Sequence, residues 1–226
     1  MNRAQLKVKI KRHKARPGFA AVISSPSGTG KTTICRRLLK KFPGYRYSIS
    51  ATSRPPRQNE QNGIDYYFMT EEQFVKANRA KMFIESARYL DHLYGTPKRP
   101  LLEAISRGEI MLLDIDVQGA AIIKKTMPDA VTLFVLPPSL PELKRRLLGR
   151  KTEDPIAAKN RLARAVSEIK CWTSYDYVVV NEKLPDVIGE IHDILTAERS
   201  KTRRLGDKKY WKNSLARLLG LIGTRR

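Results

Sequence analysis

The stretch FAAVISSPSGTGKTTICRRLLKKF, residues 19–42, constrains the fold more than any other part of the chain. Residues 19–24 form a short apolar run, which predicts a buried strand. Residues 31–42 place Ile34, Leu38 and Leu39 at helical spacing. Between them lies SSPSGTGKTT, a glycine-rich turn that points the first amides of a helix at a loop, where they and the helix dipole favour an anion. Gly30, Lys31 and Thr32 fit the end of the phosphate-binding pattern Gly-x-x-x-x-Gly-Lys-Ser/Thr. Ser25 stands where that pattern has its first glycine. Pro26 biases Ser25 toward extended geometry, so that position needs no positive φ and no glycine. Gly28 and Gly30 remain where the loop must approach a phosphate closely. Lys31 is then expected to reach the β- and γ-phosphates, and the Thr32 hydroxyl a Mg²⁺ ion. An ATPase, a GTPase, a helicase and a kinase all satisfy this much.

Beyond the loop, strand and helix patterns alternate. YRYSISA (45–51) predicts one strand. Thr70 with Gln73 makes a capping box before a helix. MFIESARY (82–89) predicts a strand, and Thr96-Pro97 the N-cap and first residue of a helix ending at Gly108. IMLLDID (110–116) and VTLFVL (131–136) predict strands. Ser139 with Glu142 makes a second capping box. Residues 156–170 predict a helix, YVVV (177–180) a strand, and 184–199 a helix. Fully apolar strands between helices imply an α/β fold with a parallel sheet covered on both faces.

Composition narrows the class. No apolar run approaches the ~20 residues of a membrane span, and no secretory signal is visible. Cys35 and Cys171 fit no zinc or disulfide framework and read as reduced thiols of a cytoplasmic protein. The net charge of +22 is concentrated at the ends. Residues 1–16 carry seven Lys/Arg and no acid, and residues 199–226 carry ten and one acid, Asp207. In WKNSLARLLGLI (211–222), Trp211, Leu215, Leu218, Leu219 and Ile222 recur at helical spacing. A basic amphipathic helix of this kind can lie on an anionic membrane surface or dock on a partner, and the alternative is that it packs on the protein's own core or stays disordered; the basic N-terminal tail could add attraction to nucleic acid or anionic lipid.

TSRPPRQNEQNGIDYYF (52–68) narrows the reaction. Arg54 and Arg57 lie three apart on a proline-stiffened segment, and forked guanidiniums suit a phosphate. The chain here resembles the guanylate kinases, which move the γ-phosphate of ATP onto GMP. The resemblance runs from about residue 18 to 204 and rests on SPSGTGKTT, TSRPPRQNEQNGIDYYF, FIESARYLDHLYGTP, LLDIDVQG, LPPSLPELKRRLLGR and RLARAVSEI, in that order. It implies a P-loop nucleoside-monophosphate-kinase-like core, a small β-rich GMP-binding region at about 48–97 and a helical lid at about 142–170. Residues 1–17 and 205–226 fall outside as tails.

The resemblance also implies roles. ATP falls to Ser25, Pro26, Ser27, Gly28, Thr29, Gly30, Lys31, Thr32, Thr33 and Asn181. Ser50 and Glu85 would face the guanine edge. Arg54, Arg57 and Tyr66 would grip the GMP phosphate, with Tyr94 and Thr96 beside them; Thr96 replaces the usual serine. Asp114 is assigned to GMP. Asp116 is assigned to the Mg²⁺ that accompanies ATP, next to Thr32. Lys31, Arg54 and the lid arginines Arg150 and Arg161 would supply catalytic charge. Lys151 replaces the common glycine after Arg150, and Pro155 follows in the lid. Arg145, Arg146 and Arg164 read as solvated helix-face arginines. A catalytically inactive binding module of the same family and a P-loop nucleic-acid-binding protein are the alternatives. dGMP is expected beside GMP.

Overall fold

The computed structural model describes residues 17–26, 29–89, 91–148 and 155–204, with Leu148 and 155–161 as backbone alone. Nine strands and seven α-helices are found among these residues: β1 Phe19–Ser24, α1 Lys31–Lys41, β2 Tyr45–Tyr47, β3 Ala51–Thr52, β4 Tyr67–Phe68, α2 Glu71–Arg79, β5 Phe83–Tyr89, β6 His92–Pro97, α3 Lys98–Ser106, β7 Ile110–Asp114, α4 Val117–Thr126, β8 Val131–Leu136, α5 Leu140–Leu148, α6 Pro155–Ile169, β9 Tyr177–Val180 and α7 Leu184–Ser200.

Five strands form a parallel sheet in the order β2-β7-β1-β8-β9. The central strand shows why it reads as continuously apolar. Successive side chains of a strand point to opposite faces, and both faces here are covered. Phe19, Ala21 and Ile23 join Ile34, Leu38, Ile191 and Leu195 in one core. Ala20 and Val22 join Leu101, Leu113, Ala120 and Ile123 in the other. Truncating a side chain such as Leu112, which has no exposed surface, is expected to cost about 2–5 kcal/mol.

The second sheet has the order β4-β3-β6-β5 and is mixed, with β5 and β6 an antiparallel pair. It corresponds to the expected small β-rich region. The expected strand 45–51 divides between the two sheets. β2 stays beside β7 until the Ser48 amide bonds the Leu112 carbonyl at 2.9 Å; the chain then crosses, and Ala51 pairs with Gly95. One apolar-aromatic run thus serves two sheets, with serines 48 and 50 at the crossing.

Two further expectations are corrected. Thr96 does not cap a helix. It is a strand residue opposite Glu85, its hydroxyl is used there, and Pro97 is the N-cap of α3. The segment after IMLLDID carries α4, which the sequence reading passed over; Asp116 is its N-cap, accepting from the Gly119 amide at 2.9 Å. The capping box at Thr70 is complete. At Ser139 only half forms, because the Glu142 carboxylate turns to Arg145 and Arg146, both at 2.7 Å.

Candidate active site

β1 and β7 end side by side, and the phosphate-loop residues follow directly from β1. Ile23 lies opposite Asp114 in the register. This is the carboxyl edge of a parallel sheet, where ligands of α/β folds bind. Gly30 has φ +92° and is the N-cap of α1, a left-handed conformation that glycine adopts at low cost. Ser25 is not among the positive-φ residues, which agrees with its lack of need for glycine. It is buried, and its hydroxyl donates to the Pro26 carbonyl at 3.0 Å. Lys31 Nζ folds back to the Ser25 carbonyl at 3.2 Å and to Ser25 Oγ at 3.4 Å. Thr29 closes the loop on Pro26, and Asn181, at the end of β9, braces it by donating to the Thr29 carbonyl at 2.9 Å. Thr33 is exposed at the start of α1. Ser27 and Gly28 lie outside the described residues.

Two carboxylates follow β7, and they do different work. Asp114 Oδ2 accepts from the Thr32 hydroxyl at 2.6 Å. Asp116 Oδ1 is occupied as the cap of α4. Of the two carboxylates, the one that reaches the hydroxyl expected to meet the metal is Asp114. Residues two apart on a strand share a face, but the strand ends at Asp114 and the backbone has turned by Asp116.

The arginines lie across a cavity of about 650 Å³ lined by Thr32, Arg36, Arg57, Glu60, Asp65 and Tyr66, among others. Glu60 holds both expected phosphate ligands: Arg54 donates to its carboxylate at 2.9 Å and the Arg57 amide at 2.8 Å. Sequence reasoning missed Glu60; its signal is an acid three residues after Arg57 and six after Arg54. The Arg54 guanidinium lies 5.4 Å from the Tyr66 ring centroid, and Tyr66 packs edge-on against Tyr94 at 6.0 Å. Burial pushes the Tyr66 hydroxyl up to about 12, so it stays protonated and able to donate to a phosphate oxygen. Arg36, also missed, pairs with Asp65 at 2.6 Å and ties α1 to the acceptor region.

Glu85 lies deeper, in β5. Its register is shifted between Phe83 and Glu85, an irregularity that re-aims a strand side chain. Glu85 is 5% exposed, and the Thr96 hydroxyl donates to Oε1 at 2.6 Å. Burial is the main cause that raises its carboxyl to about 7, with the nearby Asp116 charge adding to it and Thr96 opposing. Ser50 is buried at the same sheet, where its carbonyl accepts from the Tyr67 amide at 2.9 Å.

Of the lid residues, Arg150 and Lys151 lie outside the described residues, and Arg161 is placed only as backbone within α6. Pro155 opens α6, a position where proline's missing amide costs nothing. Arg164 is not merely solvated: its guanidinium stacks 3.9 Å from the Tyr89 ring centroid and pairs with Glu168 at 3.3 Å. It joins α6 to β5.

A model of the guanylate kinase family matches residues 18–198. The chain belongs to the guanylate kinase family. Among its relatives is a guanylate kinase of Thermus thermophilus, 46% identical over 190 residues, covering 84% of this chain and 86% of that protein. The guanylate kinase of Clostridioides difficile is 42% identical over 187 residues, covering 83% and 91%. The crystal structure of guanylate kinase from Anaplasma phagocytophilum superposes with a TM-score of 0.75 at 33% identity, covering 88% of this chain and 96% of that one. The parallel-sheet core is thus that of a guanylate kinase fold. No helix among the described residues is long and apolar enough to cross a membrane.

Proposed function

We infer that the protein transfers the γ-phosphoryl group of ATP to GMP, giving ADP and GDP. The observation that carries this reading is Glu85: an acceptor carboxylate, buried beside a second sheet, in a kinase fold whose P-loop is intact at Lys31 and Thr32. Guanine presents an N1–H and a 2-amino group side by side, and one carboxylate can accept both. Adenine presents no such pair. Phosphate and base carry the recognition, so dGMP is a substrate as well.

In-line phosphoryl transfer needs positioning and positive charge more than covalent chemistry. Arg54, Arg57 and Tyr66 hold the GMP phosphate, with Tyr94 packed behind Tyr66. Lys31 leaves Ser25 for the β- and γ-phosphates, and Arg150 and Arg161 bring charge to the transferring group. Thr32 and Asp114 offer hard oxygen donors and would be the residues to hold Mg²⁺ with the nucleotide. When bound, Mg²⁺ neutralises charge on the phosphates. Arg54 and Arg57 must be redirected from Glu60 to the substrate, and Glu60 keeps them within reach.

The active site, the P-loop and the second sheet all lie in residues 18–204, which we take as the enzyme; within it 48–97 binds GMP and 142–170 is the lid. Contacts at its two ends support these limits. The Gly18 amide bonds the Ile105 carbonyl at 3.0 Å, and Arg204 is buried with its guanidinium 4.2 Å from the Phe19 ring centroid. The residues next to the two tails thus lie close together, at the start of β1. The tails' own residues lie outside the described ones. We assign them a role in association with anionic membrane or nucleic acid, and the enzyme a place in the cytoplasm. Initial rates of ADP release with GMP, dGMP, AMP, CMP and UMP test the substrate assignment.

A further inference from the structure

Gly119 is a glycine without a backbone reason. It is the third residue of α4 and does not have a positive φ. Glycine is the poorest helix former short of proline, so alanine would serve the helix better. The space around it explains the choice. A Cβ at Gly119 would lie 3.1 Å from Glu85 Oε2, 3.4 Å from Glu85 Cδ and 3.4 Å from Ile115 Cδ1. Glu85 is itself hemmed in: it is 5% exposed, and its other oxygen, Oε1, is held by the Thr96 hydroxyl at 2.6 Å. The carboxylate cannot slide sideways without giving up that bond. It therefore lies against the space that a side chain at position 119 would take.

α4 does not drift either. Asp116 caps it by accepting from the Gly119 amide at 2.9 Å, and Ala120 and Ile123 anchor it in the core. The carboxylate that reads the base is thus seated between two fixed supports, one strand and one helix turn.

We propose that Gly119 is a positioning residue for base specificity: by having no side chain it sets the depth of the Glu85 carboxylate, and with it the preference for purine monophosphates that carry a 2-amino group. This rests on the reading of Glu85 as the guanine acceptor. A methyl group at 119 pushes Oε2 outward by a few tenths of an ångström. A paired hydrogen bond to N1–H and the 2-amino group depends on both oxygens being in place. A substrate with N1–H alone, inosine monophosphate, has less to lose.

The test is kcat/KM for GMP and for inosine monophosphate in four full-length enzymes: wild type, Gly119→Ala, Glu85→Gln and the double variant. Gly119→Ala is expected to lower the preference for GMP at least tenfold, mainly through the KM for GMP, with the KM for ATP within twofold of wild type. Added to Glu85→Gln it is expected to change the preference less than twofold, because the contact it disturbs no longer reads the base. A Gly119→Ala enzyme that keeps the wild-type preference while Glu85→Gln loses it overturns the proposal and spares the base reading. A Glu85→Gln enzyme that keeps the preference overturns the base reading itself. Should Gly119→Ala fail to fold, combining it with Glu85→Asp, which draws the carboxylate back by one methylene, is expected to restore folding; continued misfolding would show that the contact with Glu85 is not what glycine serves.

Discussion

Thr32 and Asp114, 82 residues apart in the chain, share a hydrogen bond of 2.6 Å from hydroxyl to carboxylate. It joins the first turn of α1 to the end of β7, beside the P-loop lysine. The arrangement predicts that Asp114→Asn lowers kcat by about 100-fold and raises the Mg²⁺ concentration needed for half-maximal rate. Asp116→Asn should leave the Mg²⁺ dependence near that of wild type, since asparagine also caps helices well. Rates measured across a Mg²⁺ titration separate the two; equal shifts in both variants would contradict the roles assigned here.

Lys31→Ala should reduce turnover by about 100- to 1,000-fold with little loss of stability, because among the described residues Lys31 donates to Ser25 alone. Ser25→Gly should change the KM for ATP less than about threefold, an energy of roughly 0.7 kcal/mol. The Ser25 carbonyl that receives Lys31 is retained, and the position has no positive φ to relieve. A much larger effect of Ser25→Gly would show that the hydroxyl holds Lys31 in a way glycine cannot replace.

Glu85 makes GMP use depend on pH. It must be ionised to accept two guanine donors, and burial has raised its carboxyl to about 7. The KM for GMP should rise about tenfold per unit below that pH, with the KM for ATP unaffected. Stability runs the other way. The folded value lies above the ordinary carboxyl value of 4.5, so the folded state binds the extra proton, and its stabilising effect is complete below pH 4.5 and lost as pH rises through about 7. Glu85→Gln should therefore gain stability relative to wild type between pH 5 and pH 8, on the order of 3 kcal/mol at most, while losing GMP. Urea melts at the two pH values give the sign; a relative loss at pH 8 would mean that the carboxylate is ionised without penalty in the fold.

Much of this was legible beforehand because local signals and the global fold agree. The run at 19–24, the helix at 31–42 and the capping box at Thr70 are set by periodicity and short-range hydrogen bonds. α4 was missed because VQGA opens a helix with a β-branched residue and a glycine, and that glycine serves Glu85 rather than the helix. Thr96 was misplaced because Thr-Pro is a good helix start in isolation; its hydroxyl is instead used across the sheet. The split of 45–51 and the Asp114–Thr32 contact depend on where two sheets meet, which no local window contains. Arg36 matters through Asp65, a partner 29 residues away that folding brings to it.

The tails predict a separation of roles. A chain of residues 17–204 retains the buried Arg204 and its bond to the Asp129 carbonyl at 2.6 Å, so it should fold and phosphorylate GMP within a few-fold of the full chain. It should lose retention on heparin and on anionic vesicles, and the full chain's retention should weaken with salt. An inactive or unfolded 17–204 protein would place the tails within the enzyme.

The central claim is acceptor specificity, and competition among acceptors tests it most directly. Full-length protein with ATP and Mg²⁺ is offered GMP, AMP, CMP and UMP together, and the products are separated. The account predicts GDP as the dominant product, with GMP preferred over AMP by at least about 10⁴, the scale at which a site built to pair with donors rejects a substrate lacking them. Comparable yields of ADP from AMP, or no acceptor-dependent transfer with every P-loop residue intact, would contradict it.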